Sequence, residues 1–394
     1  ARTVDMACDS DMIDLTTLSL DQPIHLNVCL EEPTPERPQV CLTVPTSTRI
    51  VPTASSVDLS LLDTFLQQEG PLLVMAGCLD PHENLVEALL HLNAPILADA
   101  TSGLHSEQRL HPLLLRGGDR TARCLDFSRV LRIGGVPSFR TWRDLETRPN
   151  IDVCSLTQRP FSGLARPSHC IIAGDTQNWA VPLRGPQRAP DRWRDREAAS
   201  SERLDALLEQ FPQSEPAWVR RLLRDIPKQA QLFVGNSLPI RELSLVAARA
   251  VPWPVLANRG ANGIDGNLST FLGSASGARV ESWGLFGDLT TLYDLAAPAI
   301  LTEMPEATIR IVVINNGGGK IFSRLPHFQG LSQQEASVVE NHHQFDFRSW
   351  AHSWNIRYHR LTMNRLDPET LPARVVIELA PNAEETEAFW QAWQ

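Results

Sequence analysis

Lysine is almost missing from this chain of 394 residues: Lys228 and Lys320 are the only two, so arginine dominates the cations. Positive charge as a whole is in deficit. The formal net charge of −10 argues against general binding to nucleic acid or to an anionic membrane, while leaving room for a local basic pocket. Long apolar runs are absent too: none approaches the roughly 20 residues that a membrane span needs. The first residues, "ARTVDMACDS", have neither a basic flank nor an apolar signal core, so a cytoplasmic protein without a membrane partner is expected. Cysteine is sparse and unevenly placed. Cys8, Cys29, Cys41, Cys78, Cys124, Cys154 and Cys170 all fall in the first half and form no C-x-x-C pair, which favours reduced, mostly buried thiols over a disulfide framework or a zinc site. No internal repeat or low-complexity tract is present.

What is there is an apolar content of 42%, enough to bury large cores, in a length that suits about two to three domains. Residues 1–30 end in "PIHLNVCL", a strand pattern. The next stretch, "EEPTPERPQVCLTVPTSTRIVPTASS", is too rich in proline for a helix and reads as an extended linker. Then "PLLVMAGC" (71–78), "HENLVEALLHL" (82–92) and "APILADAT" (94–101) read as strand, helix and strand, with further apolar runs at "SRVLRIGG" (128–135) and "HCIIAGD" (169–175). A polar stretch that becomes helical connects these to a second unit. That unit runs from "QLFVGNS" (231–237) through "PVLANRG" (254–260), a helix at 269–277, "WGLFGD" (283–288), a helix at 290–303 and "TIRIVVINN" (308–316) to "ARVVIELA" (373–380). Alternation at these lengths predicts an α/β chain with two doubly wound parallel-sheet domains, at 58–200 and 201–394, after a linker at 31–57.

The chemistry gathers at strand ends. In "VVINNGGGKIF" (312–322) an apolar run stops on two asparagines and three glycines. Glycine allows close approach of backbone to a ligand, and asparagine offers a neutral oxygen donor. In "FGDLTTLYDL" a strand ends on Asp288, and Asn316 follows 28 residues later at the end of the next strand. A right-handed strand–helix–strand connection places such strands side by side, so a carboxylate, an amide oxygen and a loop carbonyl can meet as a hard-oxygen set suited to magnesium.

This constellation resembles the thiamine diphosphate-binding motif, Gly-Asp followed after nearly thirty residues by Asn-Asn. The resemblance implies Asp288, Asn316 and the carbonyl of Gly318 as ligands of Mg²⁺, with Mn²⁺ as a substitute, holding the cofactor's diphosphate. Leu289 stands where these enzymes often have glycine, as it does in one branch. That branch is the 2-succinyl-5-enolpyruvyl-6-hydroxy-3-cyclohexene-1-carboxylate (SEPHCHC) synthase family. "GNSLPIR" (235–241), "NRGANGIDG" (258–266), "FGDLTTLYDL" (286–295) and "NNGGGKIFSRLP" (315–326) resemble its signature segments in order and spacing. "PIHLNVCLEEP" (23–33) and "LADATSGL" (97–104) extend the resemblance over nearly the whole chain.

The resemblance implies decarboxylation of 2-oxoglutarate on thiamine diphosphate and addition of the resulting carbanion equivalent to isochorismate, in menaquinone or phylloquinone biosynthesis. By motif match Arg241 and Arg259 bind substrate carboxylates, with Ser237 and Asn236 beside them. Arg140, in "GGVPSFRTW" (134–142), takes the place of a substrate-contacting residue that is usually lysine. Ile264 falls where an apolar wedge bends the cofactor, with Gly263 beside it as a further cofactor-binding residue; Ile321, Phe322 and Leu325 match an apolar wall near the thiazolium; Leu289 and Thr290 follow Asp288 at the diphosphate. An isolated arginine is more often a solvated surface charge, and the apolar residues taken singly read as ordinary core. Lys320 replaces a residue that is usually uncharged and is expected to point to solvent.

The resemblance also leaves something out. The glutamate that activates the aminopyrimidine ring belongs to a pyrimidine-binding domain, of which residues 1–30 look like a C-terminal remnant. The chain is therefore expected to be part of a longer enzyme, without appreciable synthase activity alone, and a homodimer or homotetramer when intact. Two other readings stay open: another thiamine diphosphate enzyme, such as a 2-oxo acid decarboxylase or an acetolactate synthase, and a non-catalytic cofactor-binding remnant.

Overall fold

A computed structural model describes residues 2–7, 24–29, 60–158, 161–172, 185–247, 255–260, 262–322, 328, 330–362 and 366–393. The chain divides into two compact units, residues 1–51 and 52–394. In the first, strands β1 (Arg2–Ala7) and β2 (Ile24–Cys29) pair in parallel, Arg2 beside Ile24 and Ala7 beside Cys29. The expected linker at 31–57 lies outside the described residues.

The second unit holds two parallel sheets. Strands β3 (Leu72–Ala76), β4 (Ile96–Ala98), β5 (Arg129–Ile133), β6 (Asp152–Thr157) and β7 (His169–Ile172) lie in the order β4-β3-β5-β6-β7. All residues of β3 and β5 are buried, as strands covered by helices on both faces must be. The chain turns tightly at the carboxyl ends of these two strands. A Cβ on Gly77 would stand 2.0 Å from the carbonyl oxygen of Gly135, so only glycine fits there.

Strands β8 (Gln231–Val234), β9 (Val255–Leu256), β10 (Ser282–Gly287), β11 (Ile309–Ile314), β12 (Arg357–Arg360) and β13 (Arg374–Leu379) form the second sheet, ordered β12-β13-β11-β10-β8-β9. Its two faces carry separate cores. One contains Trp283, Leu285 and Val312; the other contains Phe233, Phe271 and Phe286, whose rings lie 5.7–6.0 Å apart and fasten the helix Asn267–Ser276 to β8 and β10. The helix expected at 290–303 is instead two pieces, Asp288–Leu292 and a 3₁₀ segment Ala297–Glu303. Pro298 has no N–H to continue an α-helix and restarts the chain in the first turn of the second piece.

Residue 200, where the sequence suggests one domain gives way to the next, lies within the helix Trp193–Gln210. Trp193 packs in the core of the first sheet, while Leu204, Leu207 and Leu208 pack in that of the second. Cys78, Cys124, Cys154 and Cys170 are free thiols, as expected, but of the four only Cys154 is buried. No described helix is long and apolar enough to cross a membrane.

Candidate active site

The order of the second sheet reverses at β8: β9 lies on one side and β10 on the other. Ligands of open α/β sheets bind outside the carboxyl ends of the strands at such a reversal. Asn236 and Ser237 leave β8 there, and Asp288 leaves β10.

Ser237 has φ 76 and ψ −129 and precedes the helix Leu238–Val246. Asn236 is buried, at 1% exposure, and works as a junction. Its backbone N–H donates to Asn267 Oδ1 (3.3 Å), its Nδ2 donates to the Gly263 carbonyl (2.8 Å), and its Oδ1 accepts from Arg259 Nη1 (2.9 Å). One side chain thus ties Gly263, next to Ile264, to the arginine. Arg259 Nε is buried and has no partner among the described residues. Arg241 Nη1 donates to the Ser138 carbonyl at 2.6 Å, across to the first sheet's domain. The Arg241 side chain reaches solvent, yet packing around its guanidinium, and then the like charge of Arg259, pull it below the ordinary arginine range. Two mutually repelling guanidinium groups at the end of a sheet fit a dicarboxylate that bridges or shares them.

The other end of the site is built from β10 and β11, which run in parallel with Gly287 beside Ile314. Asp288 is 2% exposed. Its Oδ1 accepts from Leu289 N (2.7 Å), and its Oδ2 accepts from Gly317 N (2.8 Å) and Gly318 N (2.9 Å) and lies 3.1 Å from His343 Nε2. Burial raises the carboxyl above its usual range, against these hydrogen bonds and the His343 charge. Asn316 Nδ2 donates to both oxygens of Glu215, leaving Asn316 Oδ1 buried without a partner among the described residues. The Gly318 carbonyl accepts from Lys320 N (2.9 Å) and keeps a second lone pair. No cluster of three or more His, Cys, Asp or Glu suited to a metal occurs among the described residues. The donors here are instead one carboxylate, one amide oxygen and one carbonyl, the chemistry that Mg²⁺ takes. A buried carboxylate and an orphaned amide oxygen fit such a cation.

The other expected residues are distributed as follows. Thr290 is buried in the first turn after Asp288, while Leu289, Ile264 and Ile321 are half-buried. Phe322 is 40% exposed and meets Phe328 edge-on at 6.1 Å; Leu325 lies outside the described residues. Arg140 is exposed and donates to Asp144 at 2.7 Å, one turn along its own helix. Lys320 does not simply point to solvent. Its ammonium pairs with the buried Glu340 carboxylate, which His342 also reaches at 2.6 Å. Beside it an open cavity of about 400 Å³ is lined by Gly317, Lys320, His342, His343 and Gln344. Gly318, at φ +145, is pressed against this segment: a Cβ there would lie 2.6 Å from the Glu340 carbonyl.

Sequence reasoning missed Glu215, Glu340 and His343. Glu215 lies 101 residues before Asn316. The adjacent histidines of "ENHHQF" are the one signal that could have drawn attention to the third.

A solved benzoylformate decarboxylase from Polynucleobacter necessarius superposes with a TM-score of 0.58 over 91% of this chain and 70% of that chain, at 15% identity. At that identity the likeness shows the fold alone, an α/β architecture of parallel sheets and helices. The curated relatives define the family more narrowly. SEPHCHC synthase of Bdellovibrio bacteriovorus is 33% identical over 99% of this chain and 74% of its own length, and that of Akkermansia muciniphila 37% identical over 93% and 70%. The chain belongs to the SEPHCHC synthase family, whose members are thiamine diphosphate-dependent enzymes. No protein-family model matches it.

Proposed function

We propose that this chain serves SEPHCHC formation from 2-oxoglutarate and isochorismate. In this reading Asp288, Asn316 and the Gly318 carbonyl hold Mg²⁺, or Mn²⁺ in its place, against the diphosphate of thiamine diphosphate. The observation that carries it is Asn316 Oδ1, buried and without a partner at the strand end next to the buried Asp288. When bound, the cofactor supplies the electron sink for decarboxylation. The protein's part is to bind, orient and exclude water. Arg241 and Arg259 receive substrate carboxylates, Ser237 and Asn236 support them, and Arg140 gives a further cationic contact once released from Asp144. Ile264, Ile321, Phe322 and Leu325 form the apolar surround, and Thr290 offers its hydroxyl to the diphosphate.

The reading includes a homodimer or homotetramer, which sedimentation tests. It also includes a cytoplasmic location, where 2-oxoglutarate and thiamine diphosphate are found; cell fractionation tests that. Calorimetric titration with thiamine diphosphate, with and without Mg²⁺ or Mn²⁺, tests the site itself. Affinity that rises sharply with the metal is expected, and affinity indifferent to it overturns the assignment. SEPHCHC formation by the holoenzyme from both substrates tests the reaction.

A further inference from the structure

Asp99 has no exposed surface and lies just past β4, in the first sheet's domain. Its Oδ1 accepts from the backbone N–H (3.0 Å) and the hydroxyl (2.9 Å) of Thr101, closing the 3₁₀ turn Ala100–Ser102. Its Oδ2 accepts from the backbone N–H (2.9 Å) and the hydroxyl (2.6 Å) of Ser138. One buried carboxylate therefore fixes two separate segments. Each segment then grips the helix Leu238–Val246 of the other sheet. The Ala100 N–H donates to Ser244 Oγ at 3.1 Å, and the Ser138 carbonyl accepts from Arg241 Nη1 at 2.6 Å. Arg241 and Ser244 are three residues apart, on one face of that helix. Ala100 itself packs in the core of the second sheet rather than the first.

We propose that Asp99 is a positioning residue for Arg241, holding across the seam between the two sheets the turn and the loop that aim this guanidinium at a substrate carboxylate. The proposal rests on the reading of Arg241 as a carboxylate-binding group. A carboxylate suits the task because it can accept all four bonds at once, whereas an amide has one accepting oxygen and must turn its NH₂ toward a donor. A guanidinium held by one backbone carbonyl keeps its remaining donors for a ligand, but only while that carbonyl is fixed.

The test uses the intact holoenzyme, pyrimidine-binding domain included, loaded with thiamine diphosphate and Mg²⁺, and glutarate, a dicarboxylate that lacks the reacting keto group. Calorimetry gives glutarate affinity for Arg241→Ala, Asp99→Asn, Ser244→Ala and the Asp99→Asn/Arg241→Ala pair, beside KM and kcat for 2-oxoglutarate. Arg241→Ala is expected to weaken glutarate by roughly tenfold to a hundredfold, the range for a lost charge-assisted bond. Asp99→Asn should weaken it by roughly threefold to tenfold and raise KM more than it lowers kcat, while cofactor affinity stays at the wild-type value. Coupled residues are not additive, so in the Arg241→Ala background Asp99→Asn should add almost nothing. Full additivity, or wild-type glutarate affinity in folded Asp99→Asn, overturns the positioning role and leaves the Arg241 reading intact. Wild-type affinity in Arg241→Ala overturns both. Should Asp99→Asn fail to fold, Ser244→Ala removes one of the two grips alone: weaker glutarate binding supports the proposal, and unchanged binding sinks it.

Discussion

The side-chain nitrogen of Asn316 donates to both carboxylate oxygens of Glu215, at 3.2 and 3.1 Å, and this pair decides which end of the amide faces the proposed metal site. An amide can be turned over at little steric cost; a neighbour that only accepts permits one orientation. Glu215 is 1% exposed, so the constraint is not diluted by solvent. Glu215→Gln offers the amide both a donor and an acceptor and removes the preference. The bond is worth ~0.5–1.5 kcal/mol, so Mg²⁺-dependent affinity for thiamine diphosphate should fall roughly twofold to tenfold by calorimetry. An unchanged dissociation constant would show that Asn316 needs no such guide.

Asp288→Ala removes the proposed anionic ligand and should abolish most of the metal-dependent part of cofactor binding. The acceptor of the Gly317 and Gly318 N–H groups goes with it, so the glycine loop should also exchange its amide hydrogens faster. Retention of both cofactor affinity and protection would place the metal elsewhere.

In the intact enzyme, with a pyrimidine-binding domain present, Arg259→Ala should lower kcat/KM roughly tenfold to a hundredfold, the cost of ~1.5–3 kcal/mol for a charge-assisted contact, with a much smaller effect on cofactor affinity. Arg259→Lys should not restore it, because an ammonium lacks the fork that reaches Asn236 and a carboxylate together. Steady-state kinetics of the two variants decide the matter; full rescue by lysine would reduce Arg259 to a point charge.

His105 gives the fold a dependence on pH that is separate from the site. Burial drives its imidazole down to about 4, only partly offset by the bond between Nε2 and the Ala98 carbonyl (3.0 Å). Between that value and the ordinary one near 6.5, the unfolded chain binds a proton that the folded chain refuses, so stability falls as pH drops through this window. The linkage amounts to about 3 kcal/mol over the full interval. Urea unfolding from pH 7.5 to 4.5 should show the decline, and His105→Gln should flatten it. An equal slope in both proteins would assign the acid sensitivity to other groups.

Much of the architecture can be read from short apolar runs, because parallel strands buried on both faces leave such runs in the sequence: β3, β5, β11 and β13 fall within segments recognisable in that way, and β10 does so except for Ser282. β12 is not recognisable. It is an edge strand of mostly exposed Arg357, Tyr358, His359 and Arg360, with no apolar pattern to betray it. That Asp288 and Asn316 follow the ends of two neighbouring strands is legible because their spacing follows from one strand–helix–strand connection. Glu215, Asp99 and Glu340 are not, because what they do depends on contacts between distant segments, which no local period encodes.

Ser237 sits at φ 76, where an L-residue with a Cβ is disfavoured and glycine is at ease. Holding serine there costs on the order of 1–3 kcal/mol, a load the rest of the fold must carry. Ser237→Gly should therefore raise the unfolding midpoint while removing the hydroxyl from the proposed substrate end of the site. If a thermal melt and a substrate titration on that variant move in opposite directions, robustness and usefulness compete at this one position, and a screen for durability alone would select the less able enzyme.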